Sequence, residues 1–270
     1  MLWRKSVLAA TSTSVFLVLI LPESLFVEGL QNLIPKDLFK PIGGLGKNNG
    51  RVSTAALEDD LMQTISELGD ENRLSSNSRI QELVAQLEQT PSISQPAISP
   101  SVYGRWRLLH TDNANTASPI QRKAVSSGAF PIYQDIILND AGQLIVSQVV
   151  KFSEKNELKV DALASTSAYP LEELADRKGD GKLFGLNILG VSFVGDEALE
   201  DENRPDSRID FVFDKGRFEL GPDLSIPYPV PFRLPILRDA VKGWIDITYL
   251  SDRFRISKGN KGTTFILLKE

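Results

Sequence analysis

The chain contains no cysteine and only one histidine, His110. Without cysteine there can be no disulfide, no thiolate metal site and no thiol nucleophile. A lone imidazole also excludes a multi-histidine metal centre. Basic charge is in deficit: 30 Lys and Arg against 35 Asp and Glu leave a formal charge of -5. The basic stripe that marks a nucleic-acid binder is absent, so no nucleic-acid partner is expected. Signatures of hydrolases, P-loop enzymes and zinc proteases are missing as well: no G-x-S-x-G, S-x-x-K, G-x-x-x-x-G-K-[ST] or H-E-x-x-H occurs. DRKGDGK and the acidic run DEALEDENRPD lack the alternating ligands and closing Glu of a calcium loop. Asp210 and Asp246 fall in strand-like stretches, but spacing alone does not unite them as an acid–base pair. These absences predict a protein that is not an enzyme and has no metal and no cofactor.

A confident membrane span, about 20 apolar residues long, is lacking too. The apolar run Val7 to Leu21 follows Arg4 and Lys5, is interrupted by Ser and Thr, and ends at Pro22. It reads as the hydrophobic part of a targeting signal, the alternative being a retained anchor. Residues 23–53, with Pro35, Pro41 and GGLGKNNG, read as a transit-like linker, so 1–53 is predicted to be an address rather than folded core.

What is present begins with helical periodicity. Leu57, Leu61, Ile65 and Leu68 share one face, with Gly69 to end the helix. Ser78 and Gln81 form a capping-box pattern ahead of the stripe Ile80, Leu83, Val84 and Leu87. This predicts a helix pair over 54–90, packed on the main domain. Pro91, Pro96 and Pro100 make 91–101 an extended connection.

From Val102 the period changes to two. Strands are predicted at IYQDIIL (132–138), 143–152, LKVDALA (158–164), RIDFVF (208–213), GWIDITYL (243–250), RFRIS (253–257) and TTFILL (263–268). Asp214-Lys215-Gly216 is predicted to turn RIDFVF into RFEL, and Gly259 to Gly262 to close a hairpin. Residues 171–207 interrupt the series as an insertion. Eight to ten short strands with regular turns imply a mainly β fold, an antiparallel barrel or sandwich over 102–270. Eight strands are about the fewest that enclose one small ligand.

YGRWRLLHT (103–111) holds both His110 and Trp106. With no thiol and no serine motif beside it, His110 reads as structural rather than as a general base. Trp106, Leu108, Tyr133, Phe211, Phe213, Phe254 and Ile256 are large apolar residues at alternating positions. They are the candidate barrel interior, there either to line a lipid cavity or to fill a dry core. The proline-rich YPVPFRLP cannot be a central strand and reads as a rim loop. Its Tyr228 and Phe232 either touch lipid or pack internally.

Two long blocks carry a resemblance. IPYPVPFRLP (226–235) and KGWIDITYLSDRFRISKGNKGTTFILLKE (242–270) resemble the C-terminal signature of the plastid lipid-associated proteins, or plastid fibrillins. YGRWRLLHT resembles that family's opening strand and PIYQDIIL its second block. The resemblance covers about 102–270 and the helix pair, with 171–207 falling outside it. It implies a lipocalin-like barrel located in plastids, at thylakoids or plastoglobules, behind an N-terminal targeting signal. It implies binding, carriage or sequestration of prenyl lipids, carotenoids or quinones, and contact with a membrane or lipid-droplet surface. The alternative it leaves open is a scaffold that partners an isoprenoid-quinone biosynthetic enzyme, with a side-chain-filled barrel. In lipocalins a Gly-x-Trp tryptophan lies at the closed end under a late-strand arginine. Gly104 and Trp106 match the first part, and Arg255, with Arg253 as the alternative, is the candidate for the second.

Overall fold

The computed structural model describes residues 53–69, 76–112, 130–175, 204–228, 232–238, 241–260 and 262–270. The predicted targeting segment, Ser53 apart, and residues 176–203 of the predicted insertion lie outside the described residues.

Nine antiparallel strands follow two helices: α1 (Thr54–Leu68), α2 (Ser78–Glu88), β1 (Gly104–Thr111), β2 (Ile132–Leu138), β3 (Leu144–Lys151), β4 (Asn156–Ser165), β5 (Arg208–Leu220), β6 (Ser225–Pro227), β7 (Lys242–Leu250), β8 (Phe254–Gly259) and β9 (Thr264–Lys269). The sheet runs β4-β3-β2-β1-β9-β8-β7-β5-β6, and β4 also pairs with β5. That extra pairing closes eight strands into a ring and leaves β6 as a short edge on the upper part of β5. The mainly β, lipocalin-like expectation holds at this level.

β5 corrects the strand reading. Asp214-Lys215-Gly216 does not reverse the chain, and β5 runs unbroken for 13 residues. It stays paired with β4 from Asp210 to Leu220, with a register shift that sets Asp161 opposite Lys215 and Ala162 opposite Phe213. Asp214 is thus the extra residue of a β-bulge, a device that bends one strand without ending it. Its carboxylate accepts from Arg233 Nε at 2.9 Å and Nη2 at 2.6 Å, tying the following loop to the bulge. β5 pairs with β7 through Arg208–Val212 and with β6 through Arg217–Glu219.

The helix pair lies on the outer face of β1, β7, β8 and β9. Leu57, Leu61, Ile65, Ile80, Leu83, Val84 and Leu87 form one buried cluster with Leu109, Tyr249, Phe254, Ile256 and Ile266. Strands covered on both faces lose strict alternation, and β7 is buried at almost every position. α1 starts at Ser53, whose side chain accepts from Ala56 N, and ends at Gly69 with φ 74°. The N-cap of α2 is Asn77, one residue before the predicted Ser78, because its side-chain oxygen accepts from Ile80 N–H at 3.0 Å. A polar clamp fastens α1 to the sheet: Tyr249 Oη and Ser251 Oγ donate to Glu58 Oε1 at 2.8 and 2.6 Å.

The connection over 91–101 closes one end of the ring. Ile93 N–H donates to Leu250 O at 3.1 Å and Ala97 N–H to Asp206 O at 3.0 Å. A 3-10 turn, Pro100–Val102, then leads into β1. Ala97 and Val102 are buried in the same cluster as Trp106, which makes this segment the floor of the ring.

Candidate ligand-binding site

Pairing fixes which side chains point inward, because partners across an antiparallel pair share a face. From Trp106 one row runs through Gln134, Gln148, Val160 and Gly216. A second joins Leu108, Leu267, Arg255 and Leu250. Ile132, Ile136, Val146, Val150, Leu158 and Ile209 complete much of the buried interior, with Phe211, Phe218 and Phe265 packed against it.

Trp106 stands on the floor with no exposed surface. Its indole Nε1 donates to Val102 O at 2.8 Å. Gly104 enters β1 with φ +117°, a conformation that side-chain-bearing residues rarely adopt. Arg255 Cζ lies 5.0 Å from the Trp106 ring centroid, and Lys269 Nζ lies at the same distance. A cation over an indole gains about 0.5–2 kcal/mol. Lys269 Nζ also donates to Ser101 O at 2.6 Å. Arg253, the alternative to Arg255, turns outward to α1 and pairs with Asp59 at 2.9 Å.

Arg255 is fully buried, and burial pulls its pKa down to about 9. Its Nη2 donates to Gln134 Oε1, while Nε and Nη1 meet no acceptor. Ser257, two positions along the same face of β8, is buried with its Oγ unpartnered. Among the described residues, no Asp or Glu occupies an inward position on the ring strands. The acidic groups sit outside against arginines: Asp135 with Arg105, Asp246 with Arg208 and Asp161 with Arg217. The interior therefore carries positive charge without a neutralising partner.

A chain of aromatic rings leads from this interior to the rim. Phe211 meets Phe213 with centroids 5.4 Å apart, and Phe213 meets Phe232 at 5.7 Å. Phe232 stacks on Tyr228 at 6.1 Å, and Tyr228 meets Phe218 at 5.7 Å. Tyr228 crosses directly over Gly216, where an added Cβ would lie 2.8 Å from the Tyr228 Cβ. Burial pushes the Tyr228 phenol pKa up. Both rim-loop aromatics are packed inward, Phe232 almost completely. Leu224, Ile226 and Leu234, on the same stretch of chain, are exposed.

Three predicted lining residues belong elsewhere. Tyr133 pairs with Arg107 and Val149, the face opposite Gln134, and stands on the outer wall under Arg105. Phe254 and Ile256 lie in the helix-covered cluster. The inward face of β8 is the polar one, Arg255 and Ser257, so its apolar face marked the helix pair. Trp106, Leu108 and Phe211 do lie with the inner cluster, while Phe213 and Phe232 belong to an adjoining one that Tyr228 bridges to it. Gln134, Gln148, Ser257, Phe218, Phe265 and Leu267 were not singled out from the sequence. Gln134 was legible, since it shares parity with Ile132 and Ile136. His110 sits on the outer face: a register shift between Leu108 and His110 sets it opposite Ile266. It is buried with Nδ1 unpartnered, and desolvation lowers its pKa. Among the described residues no group of His, Asp and Glu could hold a metal ion.

The family profile PAP_fibrillin matches residues 55–171 and 202–268, well over half of the chain. The chain belongs to this family. It is 39% identical over 195 residues to a probable plastid-lipid-associated protein 12, chloroplastic, of Arabidopsis thaliana, covering 71% of this chain and 38% of that one. It is 27% identical over 207 residues to a chloroplastic light-induced protein of Solanum tuberosum, covering 72% and 60%. A chromoplast-specific carotenoid-associated protein of Cucumis sativus is 26% identical over 209 residues, covering 73% and 62%. The chain thus spans between about two fifths and three fifths of these relatives' own lengths. No solved structure matches it. The relatives are chloroplastic or chromoplastic, and this fibrillin-family chain is accordingly a plastid protein.

Proposed function

We propose that this plastid fibrillin-family chain is a non-catalytic binder of an apolar small molecule, of the prenyl-lipid, carotenoid or quinone kind, held inside the ring above Trp106. One observation carries the reading. Gln134, Gln148, Val160, Phe211, Phe218 and Phe265 point into or pack on a closed ring, yet each keeps part of its surface accessible to water. A dry, close-packed core would leave no such surface. Apolar walls with a few polar groups are the usual make-up of a small-molecule site, and burial of the ligand's apolar surface supplies the driving force. The aromatic chain from Phe211 to Tyr228 offers a continuous path between interior and rim. Relatives named for plastid lipids and carotenoids favour the same class of ligand.

Leu224, Ile226 and Leu234 beside the rim suit contact with a thylakoid or plastoglobule surface, from which such a molecule would be exchanged. The same exposed residues favour a second reading, a scaffold that docks a biosynthetic enzyme while its barrel is filled by its own side chains. Native mass spectrometry of the full chain isolated from plastids, followed by solvent extraction, separates the two. The binder returns one hydrophobic molecule per chain, whereas a bare polypeptide mass with nothing extractable contradicts it.

A further inference from the structure

Resting on the binding reading, we propose that Arg255, with Ser257, anchors a single carboxylate at the end of the bound apolar chain, so that the barrel selects long-chain acids over neutral molecules of similar size. The guanidinium is fully buried, faces the interior and stacks near Trp106. Gln134 Oε1 is its one hydrogen-bond acceptor, and the N–H groups of Nε and Nη1 are unmatched. Ser257 Oγ adds an uncommitted hydroxyl on the same face. Among the described residues, strand arginines on the outer wall are matched by carboxylates in Arg105–Asp135 and Arg208–Asp246. Arg107 Nε is unpartnered too, but it lies on the outer face beside Tyr133, whereas Arg255 is the described arginine that faces the barrel interior.

A buried cation without a counter-ion is costly, and an incoming anion removes that cost. The charge balance favours a carboxylate, whose single negative charge matches one guanidinium. A phosphate monoester carries nearly two negative charges at neutral pH and would leave the excess buried. Lys269 is a second cation near Trp106, but it is only half-buried and hydrogen-bonded to Ser101 O, so water reaches it, whereas Arg255 is sealed from solvent and is the charge that needs a counter-ion. The apolar chain then runs from Arg255 along Leu108, Leu267 and Phe265 toward the rim. Of the apolar molecules the ring could take, one that ends in a carboxylate also compensates the guanidinium, while a neutral carotenoid or quinone is held by its apolar surface alone and more weakly.

The test compares oleate with oleyl alcohol, which share a chain and differ in head group, by displacement of a fluorescent lipid from the full-length protein. Oleate is expected to bind roughly tenfold or more tightly than the alcohol. Arg255→Met should erase that preference while still binding the alcohol. Arg255→Lys, which keeps the charge and loses the planar fork, should retain part of it and serves if the methionine variant does not fold. As a second readout, the carbon-13 signal of carboxyl-labelled oleate bound to wild type should remain that of an ionised carboxylate below the pH at which free oleate protonates. Equal affinities for acid and alcohol, or a preference that survives in Arg255→Met, would overturn the proposal and leave ordered water as the partner of Arg255. Binding of neither molecule would instead remove the lipid-binding reading beneath it.

Discussion

Gly216 and His110 illustrate how single positions take their meaning from the other side of a strand. Gly216 faces inward, and Tyr228 lies against it closely enough that any side chain there collides with the Tyr228 Cβ. Gly216→Ala should therefore destabilise the fold by about 1–3 kcal/mol, the usual cost of overpacking, measured as a lower urea midpoint. His110 is buried on the outer face, and its folded-state pKa lies below the ordinary value of 6.5. The unfolded chain binds the proton more readily, so the neutral imidazole's contribution is complete above pH 6.5 and is lost as pH falls through the lower folded value. Thermal melts below pH 6.5 should show a steeper loss for wild type than for His110→Gln. An identical pH slope in both proteins would contradict this assignment, in which burial outweighs the nearby Asp112. Legibility at this scale turned on parity. Trp106 and Leu108 could be placed from the alternation of YGRWRLLHT. His110 could not, because the register shift that moves it outward leaves no mark in the sequence.

Among the elements, the strands and helices were legible to within a few residues, and β2 spans the predicted residues 132–138. What the pattern hid was which face of an element meets what. β8 carries Phe254 and Ile256 on one face and Arg255 and Ser257 on the other, and apolarity suggested the first for the interior. Only the location of the helix pair resolves the matter, and that is a long-range fact. β5 was hidden for another reason: Asp-Lys-Gly has the composition of a turn, but pairing with β4 on both sides of Asp214 overrides that local preference. The fastening of α1 makes a prediction at this scale. Tyr249 Oη and Ser251 Oγ both donate to the buried Glu58 carboxylate, and burial pushes the Tyr249 phenol pKa up. In a double-mutant cycle of Glu58→Gln and Tyr249→Phe by chemical denaturation, the two changes should couple by about 0.5–3 kcal/mol. Additive effects would mean that the clamp does not hold the helix to the sheet.

For the molecule as a whole, charge and apolarity are sorted by wall. Carboxylate–arginine pairs lie outside, while the described interior carries Arg255 and Lys269 among apolar residues and glutamines. Which strands close the ring was beyond reach from periodicity, since the β4–β5 pairing joins strands separated by the 171–207 stretch. The family resemblance, carried by 226–235 and 242–270, gave the architecture that periodicity alone left between barrel and sandwich. An apolar molecule held above Trp106, as proposed, lies within reach of contact quenching. In Trp3→Phe/Trp244→Phe protein, Trp106 is the one indole left in the chain, and a brominated acyl chain quenches an indole only at near contact. Saturable quenching of the Trp106 emission, reversed by excess unbrominated lipid, is the expected result. Emission that stays constant across the titration, with the protein folded, would contradict it.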